Sequence, residues 1–167
     1  MKFAMRCGAL VTASLLVSAC GESGESAAPV ENTAAVADMI AAGEYEVKTK
    51  VTSLDVTEGT KADSQLAMDS ETSTKVCVGE DGVIPAEAFA EPGDNCTSES
   101  PYAKRGKLRI TMRCIRPSKG EVGLQVSGQV EGDGMTGEID TSSYLVGGGD
   151  YRMKRSFTAT PTGACNA

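Results

Sequence analysis

The sequence predicts a mainly all-β domain: a twisted antiparallel meander sheet or half-barrel with one short helix and two disulfides. Three observations predict it. Apolar and polar residues alternate with period two through several stretches past Gly43, the pattern of strands with one buried and one wet face. Turns rich in Gly and Pro separate these stretches at hairpin spacing. From Ala42 onward only 25 residues in 126 are Leu, Ile, Val, Met or Phe, a thin core for a packed domain, and four cysteines fall in the same stretch.

The elements follow in chain order. Residues 1–19 read as a lipoprotein signal peptide: Lys2 and Arg6 form a positive start, and an apolar run covers 8–17. At about ten residues that run is half of what a membrane-spanning helix needs. It closes on Leu16-Val17-Ser18-Ala19-Cys20, which resembles the bacterial lipoprotein box and marks Cys20 for acylation. Gly21 rather than Asp after Cys20 resembles the pattern sent onward to the outer membrane. Residues 20–42, made largely of Gly, Ser, Ala, Pro and Glu, read as a flexible tether because they bury too little to offset ordering. Residues 43–167 form the β domain. Its strands begin with Tyr45, Val47, Thr49 and Val51 on one face. They continue with Leu108, Ile110, Met112 and Cys114, then Leu124, Val126 and Val130, then Tyr151, Met153, Phe157 and Ala159. Pro85 opens the one expected short helix, over 85–90.

Composition narrows the chemistry. Among 167 residues there are 16 Lys and Arg, 23 Asp and Glu, and no His or Trp. Without His there is no Ser-His or Cys-His nucleophile pair and the commonest metal ligand is missing. A net charge of −7 argues against nucleic acid as a partner. Four cysteines remain beyond the signal and Cys20: Cys77, Cys96, Cys114 and Cys165. Their wide spacing, with no CxxC and no His, fits two structural disulfides rather than zinc or redox chemistry. Of the three connectivities, Cys77–Cys96 with Cys114–Cys165 is favoured, and Cys77–Cys165 with Cys96–Cys114 stays open.

Gly132-Asp133-Gly134-Met135-Thr136-Gly137 spells GxGxxG, but the alternating Glu138-Ile139-Asp140-Thr141 follows where a dinucleotide site needs a helix. The motif reads as a hairpin tip, and no cofactor or metal is expected. Thr72-Ser73-Thr74-Lys75 has Thr where an Ser-x-x-Lys nucleophile has Ser, and reads as surface. A basic cluster stands out in this acidic chain: Lys104, Arg105, Lys107, Arg109, Arg113, Arg116 and Lys119. Lys107, Arg109 and Arg113 share one strand face, opposite neutral Gln125, Ser127 and Gln129 on the expected neighbour. Glu44 and Glu46 are the acids expected to offset them. The three form a candidate anion-binding strip for an anionic envelope component.

Several motifs together resemble a known family. They are Gly43-Glu44-Tyr45-Glu46-Val47, Val76-Cys77-Val78 ahead of Pro85 and Phe89, Asn95-Cys96-Thr97, Met112-Arg113-Cys114, and Thr162-Gly163-Ala164-Cys165. The chain resembles the proteobacterial envelope family catalogued as domain of unknown function 3617. The resemblance implies a signal, a short tether and a four-cysteine β domain, and brings no assigned activity. Tyr45 stands where relatives often carry Trp, and many relatives show no lipidation site, so Cys20 rests on this sequence alone.

The expectation is therefore a non-catalytic outer-membrane lipoprotein, held in the membrane by acyl chains on Cys20. Its domain faces the periplasm and contacts an anionic envelope component or a periplasmic protein. One alternative is a carrier for a small amphiphile on a concave face formed by Tyr45, Val47, Leu108, Ile110 and Met112. Another is a hydrolase using carboxylates alone, for which the four Tyr and two Phe beyond the signal offer few sugar contacts.

Overall fold

The structure, a computed structural model, describes residues 39–165. The expected signal, Cys20 and most of the tether lie outside the described residues. Seven antiparallel strands form one curled sheet, a half-barrel: β1 (Gly43–Val56), β2 (Glu71–Val78), β3 (Asn95–Lys104), β4 (Lys107–Arg116), β5 (Gly120–Glu131), β6 (Gly134–Leu145) and β7 (Tyr151–Gly163). Their spatial order is β2-β1-β7-β6-β5-β4-β3. The meander expected toward the C-terminus is present as β4 to β7, and β7 then pairs with β1.

Period-two alternation decides which way each strand faces. In β4, Leu108, Ile110, Met112 and Cys114 are each no more than 2% exposed, and Arg116 continues the same inward series. In β7 the series is Tyr151, Met153, Arg155, Phe157 and Ala159. Thus the register that buries the apolar residues also carries two arginines inside.

The concave side is closed by the segment 79–94. Where a short helix was expected there is one 3-10 turn, Ala86–Ala88, which touches both edge strands, β2 and β3. Pro85 has an extended ψ of 149° and leaves three residues for a single tight turn. Ile84 and Phe89 are fully buried beneath it. Phe89 meets Phe157 edge to face at 5.1 Å, a favourable aromatic geometry.

Phe157 also explains the GxGxxG spelling. Gly128 and Gly137 pair across β5 and β6. A Cβ on Gly137 would stand 2.5 Å from the Phe157 ring, and one on Gly128 would stand 2.9 Å from it. Gly132 has φ of +60° in the β5–β6 turn, and a Cβ on Gly134 would strike the Ala159 carbonyl. The glycines make a tight turn and room for an aromatic ring, as the strand-like continuation implied.

Two disulfides form, but not with the favoured connectivity. Cys77 joins Cys165 and Cys96 joins Cys114, with Cα separations of 5.6 and 3.9 Å. The reason is β3, which the sequence does not announce. Asn95–Lys104 is a strand with Ser, Glu and Pro on both faces, exposed along nearly all its length. It pairs with β4 so that Cys96 falls directly opposite Cys114. β1 lies between β2 and β7, with Glu44 opposite both Cys77 and Gly163, which leaves Cys165 to reach Cys77 across it. The two bridges therefore staple the two edge strands, β2 and β3, to the rest of the fold.

Candidate functional site

The strip residues lie on the convex face, where β4 places them. Lys107, Arg109 and Arg113 all point outward, and Gln129 and Ser127 oppose Lys107 and Arg109 as expected. Arg113 is neutralised: its Nε lies 3.5 Å from Glu99 and 3.4 Å from Glu121. Glu44 and Glu46, the acids expected to offset the strip, instead pair with Lys75 and Lys48, because β1 lies four strands from β4. Lys107 and Arg109 reach no carboxylate among the described residues, and neither do Lys104 and Arg105 in the adjoining turn. The uncompensated charge is thus shifted from the middle of β4 toward the β3–β4 hairpin turn. Tyr102, Arg109, Gln125 and Asp140 line a shallow open depression on this face.

The other two members of the cluster play different parts. Lys119 pairs with Asp63 at 2.8 Å, and the hydrogen bond from Lys119 holds the Asp63 carboxyl below its ordinary range. Arg116 turns inward and anchors a buried polar network at one end of the half-barrel. Its Nε and Nη2 donate to Asp94 at 2.7 and 2.8 Å, a bidentate pair. Its Nη1 donates to the Asp63 carbonyl. Glu91, 2% exposed, accepts from Ser64 Oγ at 2.7 Å, from the Gln65 amide at 3.0 Å and from the Tyr151 hydroxyl. Arg116 Nη2 lies 3.2 Å from the same carboxylate.

The two guanidiniums and the phenol respond differently to this environment. The bond to Asp94 raises the Arg116 pKa further, so its charge is permanent. Burial and then the charge of Glu91 push the Tyr151 phenol well above its usual value. Burial lowers Arg155, against the opposing charges of Glu91, Tyr151 and Asp94; its Nη2 donates to the Phe89 carbonyl at 2.6 Å. Two carboxylates and two guanidiniums balance in charge. Glu91 and Asp94 use their oxygens on fixed donors, an arrangement that clamps the segments 57–70 and 79–94 onto the barrel end.

The concave face is full. Tyr45, Val47, Leu108, Ile110 and Met112 are each 0–2% exposed beneath Ile84, Ala88 and Phe89, which argues against an amphiphile carrier. Thr72 and Lys75 face opposite sides of β2: Thr72 Oγ1 meets Thr49 Oγ1 at 2.8 Å, and Lys75 reaches Glu44 at 3.1 Å. They form no nucleophile and base pair.

Sequence reasoning missed Glu91, Asp94, Tyr151 and Arg155 as a cluster. For Arg116, Tyr151 and Arg155 a signal existed, since each occupies an inward position of an alternating strand. Glu91 and Asp94 sit in an irregular segment where no periodicity reports burial.

No curated protein and no solved structure matches the chain. Residues 40–165 match the family described as "Protein of unknown function (DUF3617)", and this span runs from Ile40, the first buried residue among those described, to the second cysteine of the β2 staple. The chain belongs to the DUF3617 family.

Proposed function

We propose that this protein is a non-catalytic envelope lipoprotein. Acylated Cys20 holds it to the outer membrane, and its half-barrel faces the periplasm and contacts an anionic component of the envelope. The observation that carries this reading is the pair of disulfides that staple both edges of the sheet, since such bonds persist where thiols are oxidised. The lipoprotein-box spelling at Cys20 supplies the anchor: each buried acyl methylene contributes ~0.8 kcal/mol, and two or three chains make anchoring stable. The uncompensated Lys107 and Arg109 supply the anionic contact, and the saturated state of Glu91 and Asp94 favours a binding role over hydrolysis.

Intact mass of the protein extracted from membranes, before and after reduction, tests the reading. The expected species begins at Cys20, carries a diacylglyceryl group and gains four hydrogens on reduction. An unmodified Cys20, or a mass unchanged by reduction, would overturn it.

A further inference from the structure

The β3–β4 turn departs from what a hairpin prefers. Arg105 and Gly106 form its two central residues, with φ of 54° and 69°. A turn of this kind favours Asn, Asp or Gly ahead of Gly, and here the residue is Arg. Lys104 and Lys107 stand directly opposite each other, a like-charge pair that opposes the hairpin. Tyr102 stands opposite Arg109 and is 48% exposed. Seven of the 14 basic residues described make ion pairs and Arg155 is buried. Of the six others, four are in this corner, and the remaining two are Lys61 and Arg152.

Register fixes where the corner lies. β1, β4 and β6 begin, and β2, β5 and β7 end, at the same end of the sheet. The Val130 amide donates to the Gly106 carbonyl at 2.8 Å. The Tyr45 hydroxyl donates to the Ala41 carbonyl at 3.0 Å, with the Asp133 carbonyl 3.5 Å away. The basic turn, the β5–β6 turn and the point where the chain enters the domain are therefore neighbours. Twenty residues separate Cys20 from Ile40, at most ~70 Å of chain. The opposite end lies a further ~40 Å away, the length of the 13-residue β7. That end carries Asp55, Glu58, Asp63 and Asp69 against Lys61, Lys119 and Arg152.

The geometry points to this corner, from Tyr102 to Arg109, as a membrane-docking element whose cations engage the phosphate headgroups of anionic phospholipid in the bilayer that holds Cys20. This deepens the proposed function and rests on the Cys20 anchor. Clustered Lys and Arg beside an anchor are attracted to an anionic leaflet, and an exposed Tyr suits the headgroup level. Glu131 and Asp133 in the β5–β6 turn, and exposed Glu80 and Asp81 after β2 at the same end, restrict the contact to one corner, so the docked domain tilts with β3–β4 toward the lipid and β1–β2 and β5–β6 away from it.

Lysine acetylation footprinting of the full, membrane-extracted protein tests this. The protein is reconstituted in vesicles of phosphatidylcholine alone or with one-third phosphatidylglycerol, and labelling is read by mass spectrometry. Lys104 and Lys107 are expected to label at least about threefold more slowly on the anionic vesicles at low salt, and to recover when salt shortens the Debye length. Lys61 and Lys154 serve as references and are expected to label equally on both. Arg105→Glu and Arg109→Glu keep both reporter lysines and are expected to abolish their protection. Equal labelling of Lys104 and Lys107 on the two vesicles overturns the docking while the anchored reading stands. Equal protection on both assigns the corner to contact between proteins and also overturns it. Protein that stays with neither vesicle refutes the anchor, and the docking with it.

Discussion

Replacing Glu91 by Gln tests whether the buried network holds the barrel end together. The substitution keeps the shape of the side chain and removes its charge. In the native fold this carboxylate is 2% exposed and accepts from Ser64, Gln65 and Tyr151 beside the Arg116 guanidinium. An amide places an NH2 donor against donors, and leaves Arg116 and Arg155 with Asp94 as their remaining buried counter-charge. Removing one partner of a buried ion pair costs about 3–5 kcal/mol. For a domain of this size that lowers the melting temperature by on the order of 10–20 °C. Glu46→Gln is the control: Glu46 pairs with exposed Lys48 at 3.2 Å on the convex face, where solvent screens the pair, and its loss is expected to leave the melting temperature close to the parent's. Thermal unfolding by circular dichroism with disulfides intact measures both. Trypsin cleavage after Lys61 gives a second readout, since Ser64 and Gln65 tie its segment to Glu91, and the Glu91→Gln chain is expected to cut faster. A melt for Glu91→Gln as small as the control's would refute the argument that this network clamps the two irregular segments.

Three further outcomes follow from the same geometry. Lys104→Glu converts the Lys104–Lys107 opposition into an opposite-charge pair and is expected to raise stability by ~0.2–1 kcal/mol, read as a higher urea midpoint, while weakening attachment to anionic vesicles. Removing Cys77–Cys165, which spans 88 residues, is expected to cost ~4.6 kcal/mol, against ~3.2 kcal/mol for Cys96–Cys114, which spans 18; urea unfolding of the two double Cys→Ala chains checks the order. The raised pKa of Tyr151 means that an unfolded chain loses this proton near pH 10 while the fold retains it. Its contribution is therefore whole below pH 10 and is lost as pH rises above it, by up to about 1.4 kcal/mol per pH unit. Tyr151→Phe is expected to flatten that alkaline loss in urea midpoints measured between pH 9 and 12.

Much of the fold is legible in the residues because a strand with one wet face writes its orientation as alternation. Leu108 to Cys114 and Tyr151 to Ala159 each announce a strand and its buried side, and the strip of Lys107, Arg109 and Arg113 follows from the opposite parity. The same parity carried Arg116 and Arg155 inward, although charge alone made Arg116 look like a member of the surface cluster. β3 was silent. As an edge strand it buries almost nothing, so selection left no apolar period on it, and Pro101 and Glu99 suit an edge that must not pair further.

By itself the sequence determined the all-β class, the hairpin meaning of the glycine motif, the presence of two disulfides and the family. These depend on local pattern or on counting. Only the tertiary structure decided which cysteines pair, which cations stay uncompensated and which acids meet the buried arginines. Those depend on which strands lie side by side, and neighbours in this sheet are as far apart in the chain as β1 and β7. The energy of a pair is fixed by a few ångströms of separation, and those separations exist only once the sheet has curled and its lid has closed.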